Sequence, residues 1–375
     1  MITLLYVEHA LINVHRLMGS IHETILYVSK KAIINNVSFF RSKLKKSTKI
    51  IAVLKAFAYG NGDIKIAEIL ELLKVDAFWV ADFEEGVNLR KSNINTPIII
   101  ANPGLKSINQ IVEYNLEVVI YNFKLMRKFG ELNQKINIHL KFNTGMNRFG
   151  FDFLDINEII SCLNLYPSLK VCSVCSHLAS SDNKLNDIFS KKQFIKFSKI
   201  CELLDKKIGN DFDKHILNSN GIIRFPSMQY NAVRIGIGLF GNITSKKTKK
   251  ATSLISVISQ VRIIKKGEFI GYNLEFIAKQ NVRIAIVPFG YADGLDRRLG
   301  NGTGKLFVDK QMCEILGNIS MDSCCINITN TSAEEGDLVE IFGENILVED
   351  IVKLIGTTPY EFLSKINRRI KRIYI

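Results

Sequence analysis

The chain has 375 residues, of which 47% are hydrophobic and 23% charged, too apolar for a disordered chain and too long for one core, so two domains are expected. Fifty basic against 36 acidic side chains leave a net charge of +14. The lysines are spread along the whole chain rather than gathered into a stripe, which argues against a nucleic-acid partner, and no run approaches the roughly 20 apolar residues that span a bilayer.

The opening Met1–Val7 run is cut short by Glu8 and His9, which makes a poor signal peptide, so a cytoplasmic enzyme is expected. Residues 1–22 read as an N-terminal extension with a short helix over Val7–Met18. A strand is expected at Thr24–Val28 and a helix near Lys31–Lys43. Apolar strand-like runs then recur near 50–54, 76–81, 97–101, 117–121, 137–142, 170–177, 215–218 and 232–235, with helical patterns such as Ile64–Leu73, Phe123–Leu132 and Phe189–Lys206 between them. Strands alternating with helices imply parallel pairing, and eight of them suggest a closed (β/α)8 TIM barrel over 23–247, with a doubly wound sheet as the alternative. From 248 to 375 the rhythm changes to short runs, Leu254–Ile264, Val282–Val287, Leu306–Val308 and Val339–Phe342, separated by turns. This reads as a mainly β C-terminal domain, an α/β plus β chain overall.

The seven cysteines are an odd number. Cys172 and Cys175 sit three apart in a strand and so on opposite faces. The adjacent Cys324 and Cys325 are separated in the same way, and all seven read as reduced thiols.

Chemistry gathers first at Ile50-Ile51-Ala52-Val53-Leu54-Lys55-Ala56-Phe57-Ala58-Tyr59-Gly60-Asn61-Gly62. A buried strand ends in a single lysine and turns on two glycines. A poorly hydrated lysine there has a lowered pKa and a nucleophilic amine, whereas one that reaches out to solvent is structural. Barrel sites form at the carboxyl ends of the strands. That rim collects Lys55, Tyr59, Lys141, Arg148, His177, Asn218, Ser219, Arg234, Gly236 and Ile237.

These residues carry a resemblance. The Lys55 stretch, His139-Leu140-Lys141-Phe142-Asn143-Thr144-Gly145-Met146-Asn147-Arg148, Ser176-His177-Leu178-Ala179, His215 with Asn218-Ser219, and Val233-Arg234-Ile235-Gly236-Ile237 resemble the ordered motifs of alanine racemases. Gly271-Tyr272, Pro288-Phe289-Gly290-Tyr291-Ala292-Asp293-Gly294 and Ser320-Met321-Asp322 continue the series in the second domain. The resemblance covers nearly everything from residue 23 onward. The chain departs from the family pattern at Phe57 (usually Asn), Asn61 (usually His), Asn143 (commonly Asp), Ser320 (commonly Cys) and Arg368 (Tyr in many members). Phe57 and the His22-Glu23-Thr24 start are similar to the racemase half of fusions to a cell-wall peptide ligase.

The resemblance implies pyridoxal 5′-phosphate bound to Lys55 as a Schiff base. It also implies that L- and D-alanine are interconverted by two bases, Lys55 on one face and Tyr272 of a neighbouring subunit on the other, supplying D-alanine for peptidoglycan. A free phenol is ionised at pH 7 only about one part in a thousand, so cations or a relay must assist it. Arg234 would face the pyridine nitrogen with His177 behind it, and Arg148 the phenolic oxygen with Lys141, which is carbamylated in some members. Tyr59, Ser219 and the N–H groups of Gly236 and Ile237 would hold the phosphate. Arg148 and Met321 would meet the substrate carboxylate, and Tyr291 would narrow the entrance. A homodimer with shared sites follows, with no metal, nucleic-acid or membrane partner. Competing readings are a racemase of serine or broader range, a decarboxylase (disfavoured by Arg234), and a non-catalytic single-barrel cofactor binder (disfavoured by Tyr272 and the β domain).

Overall fold

The computed structural model describes residues 21–243, 245 and 247–375. The helix expected over Val7–Met18 lies outside the described residues. The chain divides into two compact units. One is Lys31–Lys249; the other joins the described residues up to Lys30 with Lys250–Ile375.

β1 (Ile25–Val28) belongs to the second unit. The first is built on β2 (Lys49–Val53), β3 (Ala77–Val80), β4 (Ile98–Ile100), β5 (Glu117–Ile120), β6 (Ile136–Lys141), β7 (Leu169–Cys175), β8 (Asp213–His215) and β9 (Ala232–Ile235). Most of these strands are short apolar runs, largely buried, as strands covered on both faces must be, while β8 is Asp-Lys-His with only His215 buried. They pair in parallel in the order β8-β7-β6-β5-β4-β3-β2-β9, which brings the last strand back beside the first. The remaining seam closes through the Arg234 N–H, which donates to Leu217 O at 3.0 Å, and the Lys214 N–H, which donates to Asn231 Oδ1 at 2.6 Å. The closed barrel therefore stands and the open sheet does not.

Connecting helices turn one apolar stripe inward. Phe123–Gly130 buries Leu125, Met126 and Phe129, and Asn122 caps it by accepting the Leu125 N–H at 2.8 Å. Asp82 and Asn218 cap Phe83–Lys91 and Ser219–Arg224 in the same way, satisfying N–H groups that a helix start leaves without partners.

In the second unit β1 pairs antiparallel with β10 (Thr252–Val257). Its other edge pairs parallel with the last strand, Lys371–Tyr374. This corrects the assignment of Thr24–Val28 to the barrel. Ile-Leu-Tyr-Val is buried throughout, a pattern that suits the middle of any sheet, so only the pairing decides where it goes. The Leu254–Ile264 run breaks at Ile258 into β10 and β11 (Gln260–Ile264), and β11 pairs antiparallel with the strand Val282–Val287. Two short helices, Val348–Leu354 and Pro359–Ser364, interrupt the β pattern without having been anticipated. Among the described residues no helix is long and apolar enough to cross a membrane, and the seven cysteines are free thiols.

Candidate active site

After β2 the chain does something few L-amino-acid chains do. Ala56, Phe57, Ala58 and Tyr59 all take positive φ, at 54°, 56°, 50° and 53°, forming one turn of left-handed helix that opens at Lys55. Each such residue costs roughly 1–2 kcal/mol, because Cβ crowds the following carbonyl. The turn is therefore held from several sides. The Glu85 carboxylate accepts the N–H groups of Ala56 at 2.6 Å and Ala81 at 2.7 Å. Ala58 donates to Leu54 O, and Gly60 to Ala56 O. The Asn61 amide donates to the carbonyls of Ala58 at 2.9 Å and Tyr59 at 3.1 Å. Gly60 and Gly62, with φ of 82° and 93°, then release the chain into the helix Asp63–Leu72. The turn leaves Lys55 accessible and buries Tyr59.

Lys55 lies among cations. Partial burial, then Arg148 and Arg234, lower its pKa, and Glu85 opposes them. Burial chiefly lowers Lys141 to about 8, with Arg234, Arg148 and Lys55 adding to the effect. Its ammonium lies 6.0 Å over the Phe149 ring. Such a cluster on one rim suits an anionic ligand and favours a neutral, nucleophilic amine at Lys55.

Arg234 is buried at the end of β9. One terminal nitrogen donates to Ser176 O at 2.5 Å and to His177 Nδ1 at 3.0 Å; the other donates to His215 Nδ1. The Trp79 ring lies 5.2 Å from the guanidinium. Burial, then the charge of Arg234, push both histidines well below the ordinary imidazole pKa, so both are neutral. His177 is thus a direct hydrogen-bond partner of Arg234. His215, noted in the sequence only as a motif member, is an equal partner.

Ser219 is the first residue of the helix Ser219–Arg224, and the Oδ1 of its cap Asn218 accepts the Gly221 N–H at 2.9 Å. Its Oγ accepts the N–H groups of Gly236 at 3.1 Å and Gly238 at 3.3 Å, which leaves its own proton to donate. A methyl on Gly236 would overlap the Tyr59 hydroxyl, so two hydroxyls and the amides that open the turn Ile237–Phe240 converge on one small space. Neutral donors gathered at the start of a helical turn are the chemistry that binds phosphate. Gly238 was not foreseen, since its role depends on where Ser219 sits. The chemistry of the donor set fits pyridoxal 5′-phosphate: a neutral-donor cradle for a phosphate, an amine of lowered pKa for an aldehyde and nearby guanidinium groups for polar ring atoms.

The other expected residues lie in the β unit. Tyr272 follows Gly271 in a tight turn, is 68% exposed, and accepts the Asn318 amide at its carbonyl at 3.1 Å. The Tyr291 N–H donates to Ser320 O at 3.0 Å, and the Ala292 N–H to Met321 O at 2.9 Å, so the Pro288–Gly294 and Ser320–Asp322 motifs lie against each other. Arg369 joins them through Asp293 at 2.6 Å and Asp322 at 2.5 Å.

Residues 28–243 match the alanine racemase N-terminal domain and residues 251–374 the alanine racemase C-terminal domain. An alanine racemase of Caldanaerobacter subterraneus subsp. tengcongensis is 34% identical over 361 residues, 92% of each chain. The alanine racemase structure from Clostridium difficile 630 superposes with a TM-score of 0.89 at 28% identity, covering 95% of this chain and 97% of that one. An alanine racemase from Bartonella henselae with covalently bound pyridoxal phosphate does so with a TM-score of 0.85 at 26% identity, covering 94% and 100%. With both domains matched in order over nearly its whole length, the chain belongs to the alanine racemase family.

Proposed function

We propose that this alanine racemase interconverts L- and D-alanine with pyridoxal 5′-phosphate bound at Lys55, using Lys55 and the partner subunit's Tyr272 as bases on opposite faces of Cα. The reading rests on one juxtaposition: a lysine of lowered pKa beside a neutral-donor phosphate cradle and a buried arginine backed by neutral histidines. The cofactor, when bound, supplies an electron sink for the charge left at Cα. The residues of the chain do the rest.

Tyr59, Ser219 and the Ile237 amide hold the phosphate and so fix the ring, with the Gly236 and Gly238 N–H groups orienting Ser219 Oγ. Arg234 donates to the ring nitrogen and opposes its protonation, since a guanidinium keeps its own proton. That keeps the electron sink weak and disfavours side reactions. Arg148 anchors the phenolic oxygen and, with the Met321 main chain, the substrate carboxylate. Tyr291 limits the side chain admitted. Lys55 takes or returns the proton on one face of Cα and the partner subunit's Tyr272 on the other, so the working unit is a homodimer, and its product supplies D-alanine for peptidoglycan.

The test is conversion of L-alanine by the purified protein with pyridoxal 5′-phosphate, read by a D-alanine-specific assay. Conversion that is lost in Lys55→Ala supports the reading. A folded, cofactor-loaded dimer that leaves L-alanine untouched overturns it.

A further inference from the structure

Arg234 is a buried cation whose acceptors are two carbonyls and two imidazoles, and among the described residues no carboxylate pairs with it. Burying a guanidinium without an anion is costly. The hydrogen bonds do not stop at His215, however. Its Nε2 lies 3.0 Å from Ser173 Oγ, which lies 2.7 Å from His139 Nδ1, and His139 Nε2 lies 3.0 Å from Glu117 Oε2. Five neighbouring strands, β9 back to β5, contribute one residue each. The line crosses the barrel from the carboxyl ends of the strands to their starts. Ser173, His139 and His215 are each at most 3% exposed. Glu117 opens onto a polar cavity of about 440 Å³ at the strand starts, ample for water.

The backbone is bent to make this line. Ile138 pairs with Val171 but His139 pairs with Ser173, leaving Cys172 as an extra residue. A bulge of this kind re-aims side chains.

We propose that His215, Ser173, His139 and Glu117 form a one-way hydrogen-bond relay that positions Arg234 and couples its charge to a carboxylate at the opposite end of the barrel. Its direction follows from its ends. Arginine only donates and an ionised carboxylate only accepts. His215 Nδ1 is therefore a lone pair and its proton sits on Nε2, donating to Ser173. The Ser173 hydroxyl, whose two side-chain partners are these histidines, donates in turn to His139 Nδ1. His139 then carries its proton on Nε2, donating to Glu117. Aligned bonds polarise one another. Burial raises the Glu117 pKa, while the bonds from His139 and Asn137 and the positive charge around it, Arg90 included, bring it below its ordinary value. That Arg234 faces a cofactor ring rests on the function proposed above; the relay itself does not.

The experiment is a long-range proton–nitrogen NMR correlation on histidine-labelled apoprotein at about pH 7, where imidazole states are distinguishable. Both His215 and His139 are expected as neutral Nε2–H tautomers. Ser173→Ala is expected to displace both sets of ring signals. In the loaded enzyme it should lower kcat roughly tenfold, the loss of one buried hydrogen bond, with KM for alanine within about twofold. Glu117→Gln, which still offers an acceptor, should keep both tautomers. A proton on Nδ1 of His215, an imidazolium at His139, or a Ser173→Ala spectrum with His215 unmoved overturns the relay. If Ser173→Ala fails to fold, the wild-type tautomers decide. The expected tautomers in a protein that leaves alanine untouched would uphold the relay and remove the function reading.

Discussion

Burial and its cationic neighbours disfavour a charge on Lys141. Its pKa falls from an ordinary 10.5 to about 8, chiefly through burial, with Arg234, Arg148 and Lys55 adding to it. Below about pH 8 folded and unfolded chains both carry the proton, and the folded state bears the full penalty. Between about 8 and 10.5 only the unfolded chain binds it, so this group's contribution to stability rises with pH. Lys141→Met should therefore be more stable than wild type at pH 7, with an advantage that shrinks as pH rises above 8. Urea midpoints of the apoproteins across that range check it; an advantage that is absent at pH 7 or grows with pH refutes it. The sequence gathered Lys141, Arg148, Arg234 and Lys55 on one rim but did not show the size of their effect on Lys141, which depends on burial and on the ends of three strands, β2, β6 and β9, being brought together.

The left-handed turn after β2 is the element that the sequence concealed most completely. Gly60 and Gly62 announced a turn, yet the positive φ values begin at Ala56, among residue types that ordinarily refuse them. Nothing local marks this, since the turn is stapled by Glu85 from the helix Phe83–Lys91. Ala56 is exposed, so replacing it by glycine removes a crowded Cβ at little packing cost. Ala56→Gly should be neutral or stabilising by up to about 1 kcal/mol, against a loss of about that size for the same change in a right-handed helix. Equilibrium denaturation gives the sign, and a loss of 1 kcal/mol or more would contradict the assignment. Seven of the eight barrel strands, by contrast, were legible to within a residue or two of their ends, while the one expected at 215–218 runs Asp213–His215, because Asp-Lys-His carries no apolar signal. Runs such as Ile98–Ile100, buried on both faces, carry their own signal and are separated by helices of ordinary pattern.

At the scale of the whole molecule the proposed chemistry needs two chains. Lys55→Ala and Tyr272→Phe homodimers each lack one base. A hybrid of the two contains one site with both bases, Lys55 from one subunit and Tyr272 from the other. Mixing the two inactive variants under conditions of subunit exchange should restore roughly a quarter of wild-type activity, since half the dimers are hybrids and each has one working site of two. Activity that stays at the level of the separate variants would place both bases in one chain and remove the shared site.

The sequence alone determined the barrel's rhythm, the change to a β domain near residue 248, and which polar side chains reach the rim. Apolar periodicity and strand ends are local properties written residue by residue. The tertiary structure decided what depends on residues far apart in the chain. It placed β1 in the β unit, because a fully apolar strand does not specify its neighbours. It wound residues 56–59 left-handed, because a carboxylate 29 positions later accepts the Ala56 N–H. It also joined Arg234 to Glu117 through His215, Ser173 and His139, a contact that exists only once five strands lie side by side around a closed barrel.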